Sequence, residues 1–258
     1  MKLSVLRALV VMMCAVVLIP IIGLGYSTAD LEAIASNELI PEISAAAGMA
    51  LASTYASTMT VAALEDLAAN GRTIGLRTAA SDALSILYRT KTEDELMAIA
   101  GGTGAAMVRA AAVDPLVAFL ISKDNLKAMA ADATVTHEVR LAAAKAYYFM
   151  TRGSQTAASL ETEAVTNDSD ELAYAAGEAL AGFYLSFNPK TQAELETLAI
   201  SGGSEGLRVA GGLALSTLLI KSDLTAEAIE STLLSIAGTK SAEYRNAYEV
   251  ALANRYGM

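Results

Sequence analysis

A short cassette that recurs seven times constrains this chain more than any single motif in it. Its clearest copy, Leu-Arg-Thr-Ala-Ala-Ser-Asp-Ala-Leu at 76–84, has close relatives beginning at Val108, Val139 and Leu207 and looser ones at Ile43, Leu172 and Tyr244. With the second residue of each copy as an index, the series is Ser44, Arg77, Arg109, Arg140, Ala173, Arg208, Arg245, spaced by 33, 32, 31, 33, 35 and 37 residues. Two places after the index every copy has Ala. Six places after, all have Ala except at Pro115; seven places after, all have Leu except at Tyr147. Eleven places after the index stand Tyr55, Tyr88, Tyr184 and Tyr256. A fixed period of this size marks stacked supersecondary units, none of which buries its apolar face alone.

Within the cassette, the positions before the index and at two, three, six and seven after it share one face at 3.6-residue periodicity. The alanines allow a neighbouring helix to come close, and the leucines fill the space beside them. Ahead of each cassette lies another apolar helical pattern: Leu31/Ile34, Leu64/Leu67, Leu96/Ile99, Leu126/Met129, Leu160/Val165, Leu195/Leu198 and Ile229/Leu233/Ile236. Stop signals separate the two helices of a pair, among them Asn70-Gly71, Gly101-Gly102 and Gly202-Gly203. Thr92, Asp124, Ser154 and Asp223 are placed to cap the first helices, and Pro115 predicts a kink in the third cassette helix. The expected fold is all-α, a right-handed α-solenoid of about seven helical hairpins over 30–258.

Residues 1–29 are of a different kind. Lys2 and Arg7 precede an 18-residue uncharged apolar run from Ala8 to Gly25, and Ser27-Thr28-Ala29 follows. That is the layout of a secretory signal cleaved before Asp30, with an uncleaved anchor through 4–25 as the alternative. Cys14 is the only cysteine, so a processed chain would have no disulfide, thiolate metal site or cysteine nucleophile. It would carry 16 basic against 28 acidic side chains, net −12. Such a balance opposes binding to nucleic acid or anionic lipid.

The pattern Val/Leu-Arg-x-Ala-Ala-x-x-Ala-Leu at 76–84 and, up to Tyr147, at 139–147 resembles the second helix of HEAT-like repeats, particularly the short form named after phycobilisome lyases. The resemblance covers nearly all of 30–258. It implies an α-solenoid with its second helices on the concave side and a structural ladder of Arg77, Arg109, Arg140, Arg208 and Arg245. The Asp-Pro-Asp-Pro turn usual in that family is absent, and Ser44 and Ala173 lack the arginine. The ladder's acidic partners therefore stay unassigned from sequence. A tetratricopeptide reading fits the period but lacks its first-helix Gly and Tyr signature.

Few residues suggest chemistry. Gly202-Gly203-Ser204-Glu205-Gly206 matches a nucleophile elbow, but helix rather than strand leads into it. His137 is the only histidine and stands just before a cassette. Gly101-Gly102-Thr103-Gly104 lacks the Lys-Ser/Thr of a phosphate loop. Asn167-Asp168-Ser169-Asp170-Glu171 is acidic without EF-hand spacing, and Asn167 heads a formal glycosylation sequon. The expectation is no catalytic residue, no cofactor and no metal.

One stripe points outward: the positions one, five and eight after each index, apolar for a solvent face from Leu141 onward. The partner-binding candidates on it are Leu141, Lys145, Tyr148, Tyr174, Glu178, Val209 and Leu213. The expected function is an exported, non-enzymatic scaffold that binds a protein on its concave face. A membrane-anchored structural subunit is the first alternative, and an enzyme, including a lyase-like one, the second.

Overall fold

The computed structural model describes residues 26–167 and 169–257. The expected signal or anchor segment lies outside the described residues except for its last four. Among the described residues the fold is all-helical, with no strand, and none of its helices is long and apolar enough to cross a membrane.

The helices form seven hairpins. The outer, first helices are Thr28–Ala35, Val61–Asn70, Glu93–Ala100, Leu126–Ala131, Ala157–Thr166, Gln192–Ser201 and Ala226–Ile236. The inner helices, which carry the cassettes, are Pro41–Thr58, Ile74–Tyr88, a third in two pieces (Ala106–Ala111 and Val113–Leu120), His137–Thr151, Asp170–Ser186, Glu205–Lys221 and Ala242–Tyr256. The break at Ala112 follows from Pro115, which has no N–H to offer the carbonyl of Ala111 and whose ring crowds that carbonyl. Thr92 caps its helix in a capping box with Glu95, as the spacing suggests. The other three expected caps fall one or two residues early. Asn125, Thr156 and Thr225 stand at those positions, and the two threonine hydroxyls accept from the third-residue N–H.

The cassette alanines two after the index are all buried, from Ala46 to Ala247. On the first six outer helices the buried pair is spaced by four, as in Leu64/Ala68, Leu160/Ala164 and Leu195/Ala199. Val165, expected in this layer, is instead half exposed, because the inward position is taken by Ala164.

Each inner helix packs on the next, and the last packs on the first. The sequence reading does not contain this closure. Arg245 Nε stands 3.1 Å from Glu42 Oε1, and the rings of Tyr26 and Tyr256 meet edge-on at 4.7 Å. The seven inner helices thus form a closed circuit, with the outer helices around it.

One register governs the joints between successive inner helices: the residue four after an index meets the residue two before the next. Gly48 meets Gly75 and Gly177 meets Gly206, so closely that a Cβ on Gly48 or Gly177 would lie 2.1 Å from the facing carbonyl oxygen. Gly212 meets the Glu243 carbonyl, and Ser81 Oγ donates to the Met107 carbonyl at 2.9 Å. The caps of the inner helices add a second bond per joint. Thr73, Thr136, Ser169, Ser204 and Ser241 donate their hydroxyls to the carbonyls of Ala35, Ala100, Ala130, Ala164 and Ala199, which end or nearly end the previous repeats' outer helices. Ala105 and Ile40 occupy the equivalent places in the third and first repeats and have no hydroxyl to give.

Gly177→Ala is expected to separate the fifth and sixth inner helices and destabilise the fold by about 1–3 kcal/mol. Gly182→Ala, five residues along the same helix with nothing within 4 Å of the added Cβ, should stabilise it by about 0.5–1 kcal/mol. Thermal melts of the two variants test the joint register, and equal shifts of the same sign would refute it.

Candidate functional site

The arginine ladder acquires its partners from the joint register. Arg109 reaches Glu138 at 3.0 Å, Arg140 reaches Glu171 at 2.6–2.9 Å, Arg208 reaches Glu243 at 3.2 Å and Arg245 reaches Glu42. In each case the glutamate stands two before the next index, and for Arg245 the next index is Ser44 of the first repeat. Arg77 faces Met107 at that position and turns instead to the Gly71 carbonyl at 3.0 Å. Where the index residue is small, at Ser44 and Ala173, both joint positions are glycine. The guanidinium thus meets a carboxylate at four joints and a loop carbonyl instead at the Arg77 joint, and is replaced by direct backbone contact at the other two.

Glu171 is the most heavily engaged carboxylate. Burial alone would raise its pKa, but hydrogen bonds from Arg140, His137, its own backbone N–H and Ser169 outweigh this and bring it to about 2. His137 begins the fourth inner helix, with Nδ1 2.9 Å from the same Glu171 oxygen. It thus supports the ladder from the surface. A second latch ties inner to outer helices. Tyr55, Tyr88, Tyr184 and Tyr256 donate to Glu32, Glu65, Glu161 and Glu230 of their own repeats at 3.3, 2.8, 2.8 and 2.7 Å. Burial and then the neighbouring carboxylate raise the Tyr55 hydroxyl to about 12 and push those of Tyr88, Tyr184 and Tyr256 higher.

The motifs with suggested chemistry are occupied by structure. Ser204 caps the sixth inner helix, its hydroxyl donating to Ala164 O at 2.8 Å and accepting from Leu207 N–H. Gly101 ends an outer helix, and Arg109 donates to the Gly104 carbonyl. Asn167 uses its amide to donate to Glu163 O at 2.8 Å and to the Tyr148 hydroxyl at 3.1 Å. No group of three or more His, Cys, Asp or Glu able to hold a metal occurs among the described residues.

Helical geometry turns positions one and five of the outward stripe away from the outer helices and towards the middle of the circuit, while several position-eight residues, among them Tyr148 and Ala181, are buried; closure divides the stripe. Repeats two to five contribute Thr78/Asp82, Ala110/Asp114, Leu141/Lys145 and Tyr174/Glu178; repeats six, seven and one contribute Val209/Leu213, Asn246/Val250 and Ala45/Met49. The first arc is charged. Lys145 Nζ bridges Asp114 at 2.9 Å and Glu178 at 3.3 Å across two joints, and these carboxylates together with Tyr174 hold it protonated well above the ordinary lysine value, against the effect of burial. Asp82 is raised to about 6 by burial and by the charge of Asp114. The second arc is apolar apart from Asn246.

Of the seven residues expected to bind a partner, Leu141, Lys145, Tyr174 and Leu213 are partly exposed, and Glu178 is exposed. Tyr148 and Val209 are buried, at 2% and 5% exposure. Tyr148 donates its hydroxyl to Glu163 on the next repeat's outer helix, so it serves a joint and is not open to a partner. The sequence reading places Asp82 and Asp114 on this stripe but leaves them out of the partner-binding candidates, although both occupy the same cassette position as Lys145 and Glu178.

Glu171→Gln should lower stability at neutral pH by about 1–3 kcal/mol, since it leaves Arg140 without its carboxylate. The Glu171 pKa is lowered on folding, so its stabilisation is present above the ordinary value of 4.5 and is lost as pH falls through about 2. The deficit of the variant should therefore vanish towards pH 2. A deficit of the same size at pH 2 and pH 7, in denaturant titrations, would rule out the ion pair as its source.

Comparison with known proteins brings no match to this chain from family profiles, curated sequences or solved structures.

Proposed function

We propose that this protein is a non-enzymatic binding scaffold built from HEAT-like hairpins in a right-handed array, and that its ligand-facing surface is the middle of the circuit. One observation carries this reading. The stripe facing the centre is split into an acidic arc, in which Asp82 has no ion pair among the described residues, and an apolar arc around Leu213, Val250 and Met49. A repeat core alone requires neither arc, and together they suit a segment with a basic and an apolar side.

Size limits the partner. Seven helices spaced 8–10 Å apart in a regular ring put their axes roughly 9–12 Å from the centre, and subtracting a helix half-width leaves an opening roughly 7–12 Å across. That is no wider than one helix with its side chains. An extended peptide segment of a protein partner fits the closed circuit, and a folded domain does not.

Capture of partners by the full chain, followed by mass spectrometry, supplies the ligand. Tyr174→Ala and Leu213→Ala should then each weaken binding about tenfold or more, with helical content unchanged. Thr78→Ala, on the same stripe, should change it little. Retention of parental affinity by both variants would exclude the centre as the binding surface.

Localisation follows the N-terminal layout: export from the cytoplasm, with membrane anchoring through 4–25 as the second reading. A specific observation bears on the processing point. The first outer helix begins at Thr28, Ser27 caps it in a capping box with Asp30, and Tyr26 packs on Tyr256. Cleavage after Ala29 would cut through this first turn. A chain beginning at Asp30 should be about 1–2 kcal/mol less stable than one beginning at Tyr26, from loss of the cap and the ring contact. Equal melting temperatures for the two chains would show that residues 26–29 contribute nothing to the fold.

A further inference from the structure

The joint between the seventh and first repeats is built on the common register but alone combines three features, of which it shares only the missing cap bond with the joint into the third repeat. It has no chain connection across it. It lacks the cap bond that five other joints have, because Ile40 begins the first inner helix with no side-chain hydrogen bond. And the position four after its index, filled elsewhere by Gly48, Ser81, Val113, Ala144, Gly177 and Gly212, is Glu249.

That position is where the facing backbone comes closest, as the glycine contacts at Gly48, Gly177 and Gly212 show. By the register, the residue facing Glu249 is Glu42. Two carboxylates therefore meet at this joint around one guanidinium, that of Arg245, which already pairs with Glu42.

We infer that the contact between Ala242–Tyr256 and Pro41–Thr58 is a clasp, which opens and recloses while the other six joints stay shut, and that the Glu249 carboxylate sets its opening. The inference rests on the joint alone and stands whatever the circuit binds.

The charged groups around Glu249 are few. Glu42 faces it from the first inner helix, and Arg245 lies one turn before it on its own helix. On the sixth inner helix Arg208 is committed to Glu243, on the sixth outer helix Glu196 faces Tyr248, and on the seventh outer helix Glu230 faces Tyr256. Burial raises the Glu249 carboxyl to about 7; the charge of Glu42 adds to this, and Arg245 acts in the opposite direction. In an opened joint the same carboxyl is hydrated and returns towards its ordinary 4.5. A carboxyl that holds its proton more tightly in the closed form favours closure while protonated. The clasp is therefore tightest below about pH 4.5 and loosens as pH rises through 7.

An opened circuit also removes the size limit on what reaches the centre. Closing around a partner would then enclose a segment with a bulky domain on either side of it.

Double electron–electron resonance tests this on the full chain in a Cys14→Ser background. Spin labels at Leu39→Cys and Lys240→Cys span the clasp, in the two loops that lead into its helices, both exposed. Labels at Gly203→Cys and Lys240→Cys span the neighbouring internal joint. Across the clasp, the open-to-closed ratio should rise by about tenfold or more from pH 5 to pH 9, because opening is coupled to loss of a proton that the closed form binds more tightly. The internal pair should not change. Glu249→Gln, or Glu249→Ala if the amide fails to fold, should hold the clasp closed at pH 9. The clasp is overturned by pH-independent distances in the parent, by equal opening in parent and Glu249 variants, or by widening of both label pairs together. Opening that grows with protein concentration would also overturn it, since it would show exchange of ends between chains.

Discussion

Everything in this molecule depends on how closely two inner helices approach at the position four after one index and two before the next. An α-helix with large side chains keeps its neighbours near 10 Å, whereas glycine and alanine let the backbones approach each other. At Gly48–Gly75 and Gly177–Gly206 there is no room for even a methyl group. Arg–Glu pairs are confined to four of the five joints where at least one of the two positions has a side chain, and there a half-buried guanidinium meets a carboxylate on the next helix. At the fifth, Arg77 faces Met107 and turns to a loop carbonyl. Such a guanidinium is tolerable only with acceptors in place, and each paired arginine also finds a loop carbonyl, such as Val135 O for Arg140. The cassette is thus a device for spacing helices as well as a hydrophobic pattern.

Closure changes what the terminal repeats must do. In an open stack the first and last units expose an apolar face that needs a polar cap. Here they cover each other, with the Arg245–Glu42 pair repeating across the closure the bond made at internal joints. The same closure converts what a solenoid presents as a concave groove into an enclosed centre, and places Leu213, Val250 and Met49 side by side although Met49 is far from the other two in sequence. The acidic arc runs through four consecutive repeats, but the apolar arc joins repeat one to repeats six and seven only because the circuit is complete.

Polar groups hold the two layers together without a large aromatic core. The tyrosines eleven after the index bury their rings and deliver their hydroxyls to outer-helix glutamates, while cap hydroxyls reach carbonyls of the previous repeat. Each bond is modest, but repetition around the circuit makes every repeat answerable to two neighbours.

Much of this was written in the sequence. The period follows from the recurrence of the cassette, and the helical pairs, the buried alanine and leucine positions and the break at Pro115 follow from local spacing, because each is decided within a few helical turns. The ladder's partners were also present, unrecognised, as Glu42, Glu138, Glu171 and Glu243, each two before an index and each following a repeat with arginine at its own. That signal links residues about 30 apart, and for Arg245 and Glu42 it links opposite ends of the chain, so it is invisible until the repeats are known to form a circuit. Tyr148 and Val209 looked outward for a similar reason. Periodicity fixes the direction of a side chain about its helix axis, but how much of that direction is open depends on the curvature of the array, and curvature is the sum of seven joint geometries that no single repeat encodes.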